Sequence, residues 1–166
     1  MKQRMHNTMS VKDFARITLW GALVLVAAIA PGLALAQGLE QTFQWPEKGF
    51  AISYPAGWVS VDLQNDTYGL QANPNDDLNE GPPTADAVVI IALDSASAAV
   101  IGSPAEALQL FADEFAPDSP ITVNQTTVAG YNAVRAAIEA TDENAVLDIV
   151  VLSTDAFTYI IVGATP

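Results

Sequence analysis

A polar segment near the middle of the chain carries side chains whose spacing is typical of metal ligands. Asn73, Asn75, Asp77 and Asn79 place oxygen atoms at alternate positions, which resembles the ligand spacing of a calcium loop. The segment is not an EF-hand, because Leu78 stands at the sixth position, where that loop needs glycine, and no Glu follows at the twelfth. It therefore predicts either a weak calcium site or a solvated surface loop, and no other cofactor is expected.

The residues used by most catalytic sites are missing beyond the N-terminal region. The chain has no Cys, and its single His is His6. Triads built on His, thiol catalysis, haem ligation by His and ordinary zinc sites therefore lack their side chains. A serine nucleophile would need Lys48 as its base, in a segment that is predicted to be a solvated turn. No glycine-rich nucleotide-binding pattern occurs either, so we expect a protein that is not an enzyme.

The N-terminus has the three parts of a secretory signal peptide. A cation-rich start is followed by an uncharged apolar run from Ile17 to Ala30, which Pro31 and Gly32 interrupt. The small residues of Ala34–Ala36 then provide a cleavage site. We expect residues 1–36 to be removed and the protein to be extracytoplasmic, either secreted or periplasmic. The alternative is an uncleaved membrane anchor, because residues 17–36 are about long enough to span a bilayer.

Removal of the signal peptide changes the charge of the chain. The whole sequence has 6 Lys and Arg against 19 Asp and Glu, and the leader takes four cations and Asp13. The mature chain would keep Lys48 and Arg135 against eighteen acids, a formal charge of −16. Such a surface disfavours nucleic acid and anionic lipid, and it favours basic or divalent partners. A membrane association is expected only if the signal stays uncleaved. The four cations of the leader are Lys2, Arg4, Lys12 and Arg16.

The first half of the mature chain, residues 37–166, predicts a hairpin, short strands and a loop. Residues 42–45 and 50–54 alternate apolar and polar side chains on either side of a four-residue connection. A type I turn with Pro55 second and Gly57 fourth should then deliver Trp58 to the edge of the core. Strands are expected at 59–62, 68–72 and 87–93, the last one buried on both faces, with a polar loop from 73 to 86.

The second half predicts one helix and an antiparallel meander. Ser103, Pro104 and Glu106 form a capping box before an apolar stripe at helical spacing, and Pro117 should end that helix. Strands follow at 121–128, 131–140, 145–152 and 156–162, with turns at 142–144 and 154–155 between the last three. Along the second of these strands, Val134, Ala136 and Ile138 should share one face, with Arg135 and Glu139 on the other. The fold class is therefore α+β, an antiparallel sheet with a helix packed on it, in one domain that must be stable without disulfides.

Two segments of the chain resemble a known family. Residues 50–58, which read FAISYPAGW, are similar to the opening motif of PsbP-like domains, and residues 130–135, GYNAVR, are similar to their second landmark. That superfamily includes the extrinsic photosystem II subunit and a Ran-binding relative. The resemblance covers about residues 43–166 and implies an α/β/α sandwich around an antiparallel sheet. It implies little about activity, because members of that superfamily are mainly non-enzymatic binding or assembly factors.

The chain departs from that family at its C-terminus. Domains of this type end with a long helix on the sheet, whereas this sequence stops directly after its last predicted strand, at Pro166. Loss of such a helix would expose large apolar side chains, at about 1.5 to 3 kcal/mol each. We therefore expect either a truncated fragment or another surface that covers the same face.

Two functions of different classes follow from these residues. The first is an exported, non-catalytic binding or assembly module whose partner is a protein or a small molecule of unknown identity. The second is a carboxylate-based or metal-dependent hydrolase, which would bring buried acids with raised pKa values together in a cleft. No particular pair of carboxylates stands out in the sequence.

Overall fold

A small β-hairpin and a seven-stranded antiparallel sheet with two helices make up the described part of the chain. The structure is a computed structural model that describes residues 39–80, 82–116, 121–140 and 145–166. Its composition of strands and helices is α+β, as the sequence predicts. The predicted signal peptide, the helix stop at Pro117 and the turn at 142–144 lie outside the described residues.

The elements in chain order are β1 Gln41–Trp45, β2 Phe50–Tyr54, β3 Val59–Gln64, β4 Thr67–Gln71, β5 Ala87–Asp94, α1 Ser95–Ile101, α2 Pro104–Phe115, β6 Asn124–Val128, β7 Tyr131–Ala140, β8 Ala145–Ser153 and β9 Phe157–Thr165. The larger sheet has the strand order β3-β4-β5-β9-β8-β7-β6, and β1 pairs with β2 in a separate hairpin. Every one of these strand pairs is antiparallel.

The centre of the sheet is the strand pair β5 and β9. The apolar run Ala87–Leu93 is buried at every position, as the sequence predicts for a strand covered on both faces. β9 lies beside it over the register Ala87↔Ala164 to Asp94↔Phe157. The meander β6–β9 therefore closes onto the first half of the chain through its last strand.

Both helices begin with side-chain caps. Ser103 and Glu106 form the predicted capping box at the start of α2, and Leu108 and Ala112 are buried beneath this helix against β7 and β8. α1 is a helix that was not predicted from the sequence. Asp94, the last residue of β5, accepts a hydrogen bond from the Ser97 backbone nitrogen and caps it.

The two faces of the large sheet differ in composition. Residues that alternate along β7 confirm the predicted pattern: Val134, Ala136 and Ile138 are buried, whereas Glu139 is exposed on the other face. The first face packs against α2. On the opposite face the β1–β2 hairpin covers β4, β5 and β9, because the rings of Trp45 and Phe50 contact Tyr68 and Tyr159. These contacts attach the hairpin to one half of that face.

Some predicted boundaries are wrong. The turn after β2 is closed by a hydrogen bond from the Trp58 nitrogen to the Pro55 carbonyl, 3.4 Å long, so Gly57 is third rather than fourth. Its φ of +86° is the backbone conformation that a type II turn requires at that place, and glycine adopts it without strain. β6 begins at Asn124 rather than at residue 121. Trp58 is half-buried and packs against the core, as predicted.

Candidate functional site

The four predicted calcium ligands lie in the loop between β4 and β5, where they form two local pairs. The Asn73 Oδ1 accepts from the nitrogen of Asn75 at 3.1 Å and from its Nδ2 at 3.2 Å. The Asp77 Oδ1 accepts in the same way from Asn79, at 3.0 and 3.2 Å. These are turns that Asn and Asp side chains commonly make with their own backbone.

The residue that organises this loop is Asp76, which the ligand pattern did not include. Its carboxylate accepts from the Asn73 Nδ2 at 2.7 Å, and from the backbone nitrogen and hydroxyl of Thr84, both at 2.8 Å. Within the described ranges, no group of three or more His, Cys, Asp or Glu side chains is placed to hold a metal ion. The calcium site stays a prediction.

The loop is anchored to the sheet by a buried amide and a buried leucine. The Gln71 side chain is 1% exposed, and its Nε2 donates to the carbonyls of Asn73 and Asp76, both at 2.9 Å. Leu78 is buried against Gly69, where a Cβ atom would lie 2.6 Å from the Leu78 Cδ1. The loop therefore covers part of the sheet, and the glycine is what makes room for it.

A groove of about 580 Å³ lies beside β2, at the boundary of the hairpin. This volume falls in the range of small-molecule and cofactor sites, about 300 to 1,000 Å³. Its other side is made by the turns β6–β7 and β8–β9, which contribute residues such as Ala129 and Asp155. We call it the β2 groove. Its apolar lining comes from β2, β8 and β9, namely Phe50, Ile52, Leu152, Phe157, Tyr159 and Ile161.

Consecutive residues of β2 line this groove. Residues Lys48 to Ser53 all face it without a gap, whereas β1 contributes none of its residues. Side chains on a strand alternate between two faces, so consecutive lining residues indicate that the groove runs along the edge of the strand. Among the described residues β2 pairs with β1 alone. Because no residue of β1 lines the groove, we infer that the groove lies on the side of β2 away from β1.

Contacts around Lys48 and Tyr159 fix one end of the groove. The Tyr159 hydroxyl donates a hydrogen bond to the Lys48 carbonyl, and burial raises the pKa of Tyr159, so the phenol stays protonated at neutral pH. The Lys48 Nζ lies 2.7 Å from the Asp66 Oδ2 and 5.0 Å from the centre of the Phe157 ring. The ammonium group is thus engaged by a carboxylate and an aromatic face.

The second cation of residues 37–166 is also paired. Arg135 donates to Asp148 through Nε at 2.8 Å and through Nη2 at 2.6 Å, a bidentate pair between neighbouring strands β7 and β8. The Asp148 side chain is 7% exposed and that of Arg135 is 42% exposed. This hydrogen bonding raises the pKa of Arg135 above its usual value. Both cations therefore neutralise a neighbouring acid, and the remaining carboxylates dominate the field around the domain.

Two carboxyl groups with shifted pKa values belong to helix starts. The Ser97 backbone hydrogen bond lowers the pKa of Asp94, and the Ser103 hydrogen bonds lower the pKa of Glu106. Both shifts favour the ionised form, which is opposite to the raised pKa of a general acid. These groups act as caps for α1 and α2.

Comparison with known proteins adds no relative to this description. No protein-family model matches the sequence, and no curated protein matches it significantly. In the part of the chain that the structure describes, no helix combines the length and apolar character needed to cross a membrane.

Proposed function

We propose that this chain is an exported, non-catalytic binding or assembly module that holds its ligand in the β2 groove. The observation that carries the proposal is a strand edge with no partner strand among the described residues, which lies beside an apolar lining of aromatic and aliphatic side chains. Strand edges and apolar grooves are two surfaces through which proteins recognise ligands. The frame of the module is proposed to be PsbP-like, on the strength of the motifs at 50–58 and 130–135.

The positions of the two motifs support this proposal. The segment 50–58 supplies β2 and the turn that follows it, and the segment 130–135 supplies the start of β7. Phe50, Ile52 and Tyr131, which come from these motifs, line the groove. Residues that suggested the family by sequence are thus also residues of the candidate binding surface.

The hydrolase alternative would need acids of raised pKa that converge in a cleft. Asp94 and Glu106 have lowered pKa values and cap helices, and Asp148 is paired with Arg135. No specific observation favours hydrolysis over binding, so binding is the function that we propose.

Photo-crosslinking in the producing cell tests the proposal. A photoreactive amino acid replaces the exposed Ala51 in the groove, and the matched control carries it at Val100, which is 71% exposed on α1. We expect a discrete adduct from position 51 alone, on a protein whose mass shows that the chain begins at Gln37. Equal labelling at both positions, or no adduct at position 51, would contradict ligand binding in the groove. An intact leader on the purified protein would contradict cleavage of the signal peptide.

A further inference from the structure

The free edge of β2 offers hydrogen-bonding groups to an extended chain. An unpaired strand edge presents backbone N–H and C=O groups at alternate residues, which another strand can satisfy. In the described structure β2 has β1 on one side and the groove on the other. Native edges are commonly blocked by charged or proline side chains, but Ala51 and Ser53 at this edge are small and exposed.

The side chains of the groove suit a strand that alternates apolar and polar residues. Phe50, Ile52 and Ile161 form an apolar surface under the edge, while the opposite wall consists of turns. A strand laid along β2 would direct every second side chain onto that apolar surface and the others to solvent. The groove therefore fits an extended peptide segment better than a compact ligand.

The charges around the groove indicate which kind of peptide segment would bind there. Asp155 lines the groove and is exposed, and the exposed acids Glu40 and Glu47 directly adjoin the lining residues Leu39 and Lys48. Lys48, the cation at this site, is already neutralised by Asp66 at 2.7 Å. Since residues 37–166 carry a formal charge of −16, an acidic partner would be repelled and a basic one attracted.

We infer that the β2 groove binds an extended, basic segment of another protein, which adds a strand to the free edge of β2. The inference rests on the proposed binding function and names the class of its ligand. A second copy of this chain is a poorer occupant, because pairing β2 with itself would bring two strongly acidic domains together. Apolar side chains of the partner strand contact Phe50 and Ile52, and its Lys or Arg residues lie near the exposed acids.

A designed peptide tests this inference with the exported protein. The probe is a fluorescein-labelled heptapeptide of sequence KVTITVK, and its binding is measured by fluorescence anisotropy at low and high salt. We expect saturable binding that weakens as salt rises, because screening reduces the attraction between exposed charges. Two control peptides separate the contribution of charge from that of backbone hydrogen bonds. EVTITVE reverses the charge, and a version of KVTITVK with alternate N-methylated amides removes backbone donors on the pairing edge. Both are expected to bind at least about tenfold more weakly.

A protein variant separates the apolar contact from simple charge attraction. Ile52→Asp adds a negative charge, so a purely electrostatic complex would become tighter, whereas strand addition should lose about tenfold or more in affinity. Val146→Asp adds the same charge at an exposed position away from the groove and serves as the control. If Ile52→Asp does not fold, hydrogen exchange of the wild-type protein decides: the peptide should protect the amides of residues 50–54.

Several results would overturn the inference. They are equal binding of the acidic peptide, equal binding of the N-methylated peptide, and protection of amides elsewhere but not in β2. If the protein dimerises as its concentration rises, and Ile52→Asp abolishes this dimerisation, the edge of β2 would bind a second copy instead. A small-molecule adduct at position 51, together with no peptide binding, would refute strand addition and leave the proposed binding function standing.

Discussion

The two faces of the large sheet are closed by different kinds of contact. One face packs its apolar strand residues against the buried side of α2, with Leu108 and Ala112 inaccessible to solvent. The opposite face is divided: aromatic rings of the hairpin cover β4, β5 and β9, whereas β7 and β8 carry the Arg135–Asp148 pair. The β2 groove lies beside β2, at the boundary of the hairpin. The first face is thus built for stability, and the second combines partial cover with an accessible site.

The largest expected effect comes from the helix-covered face. Leu108→Ala should lower the free energy of unfolding by about 2 to 5 kcal/mol, because it removes a fully buried side chain and leaves a cavity. Urea denaturation followed by circular dichroism measures the change. Leu110→Ala, on the same helix but 44% exposed, is the matched control and should stay within about 0.5 kcal/mol of the wild type. Equal losses for the two variants would contradict the packing of α2.

A smaller loss is expected from the ion pair on the opposite face. Asp148→Asn should cost about 1 to 3 kcal/mol, less than the about 3 to 5 kcal/mol of a fully buried pair, because Arg135 is partly solvated. Arg135→Met keeps most of the aliphatic contact and removes the charge. A double-mutant cycle isolates the coupling, and additive losses from the two substitutions would show that the pair contributes nothing to stability.

The Tyr159 hydroxyl adds a hydrogen bond to the aromatic contacts that attach the hairpin to the sheet. Tyr159→Phe removes the donor to the Lys48 carbonyl and should cost about 0.5 to 1.5 kcal/mol, with faster hydrogen exchange in β1 and β2. Tyr131→Phe is the control, since Tyr131 is half-exposed in the same groove. Unchanged exchange in the hairpin of Tyr159→Phe would contradict this role.

The smallest expected effect is a pH dependence of the α2 cap. The pKa of Glu106 is lower in the folded chain than its ordinary value of 4.5, so its contribution to stability is complete above that value. It is lost as the pH falls through the lower folded value. The difference in melting temperature between the wild type and Glu106→Gln should therefore shrink as the pH is lowered through this window. A difference independent of pH would refute the assignment.

Local sequence signals predicted much of the fold. The capping box of Ser103 and Glu106, the alternation along β7 and the apolar run of β5 all lie where the sequence placed them. α1 was missed because its seven residues are too few for a helical period to show, although Asp94 before them and Gly102 after them are cap residues. The turn at Gly57 was misplaced because Pro suits more than one turn position.

The candidate site was less accessible to sequence reasoning. The pattern at residues 73–79 lies in a loop whose polar side chains form hydrogen bonds within its own turns. Asp76, which was not one of the predicted ligands, organises this loop. The β2 groove was not predicted at all. The groove is lined by residues that are far apart in the sequence, such as Phe50 and Tyr159, whose rings are in contact. A local sequence pattern does not predict which distant residues meet in the fold.

The sequence by itself determined the acidic charge, the absence of Cys, and the type and order of most elements, because charge, caps and side-chain period are local properties. The tertiary structure decided that β9 lies between β5 and β8, that Arg135 pairs with Asp148, and that the hairpin packs on one half of a face. These features depend on contacts between distant segments, such as the hydrogen bond between Tyr159 and Lys48. These contacts stabilise the protein only once folding has brought the distant segments together. They therefore determine where the edge of β2 and the groove beside it lie.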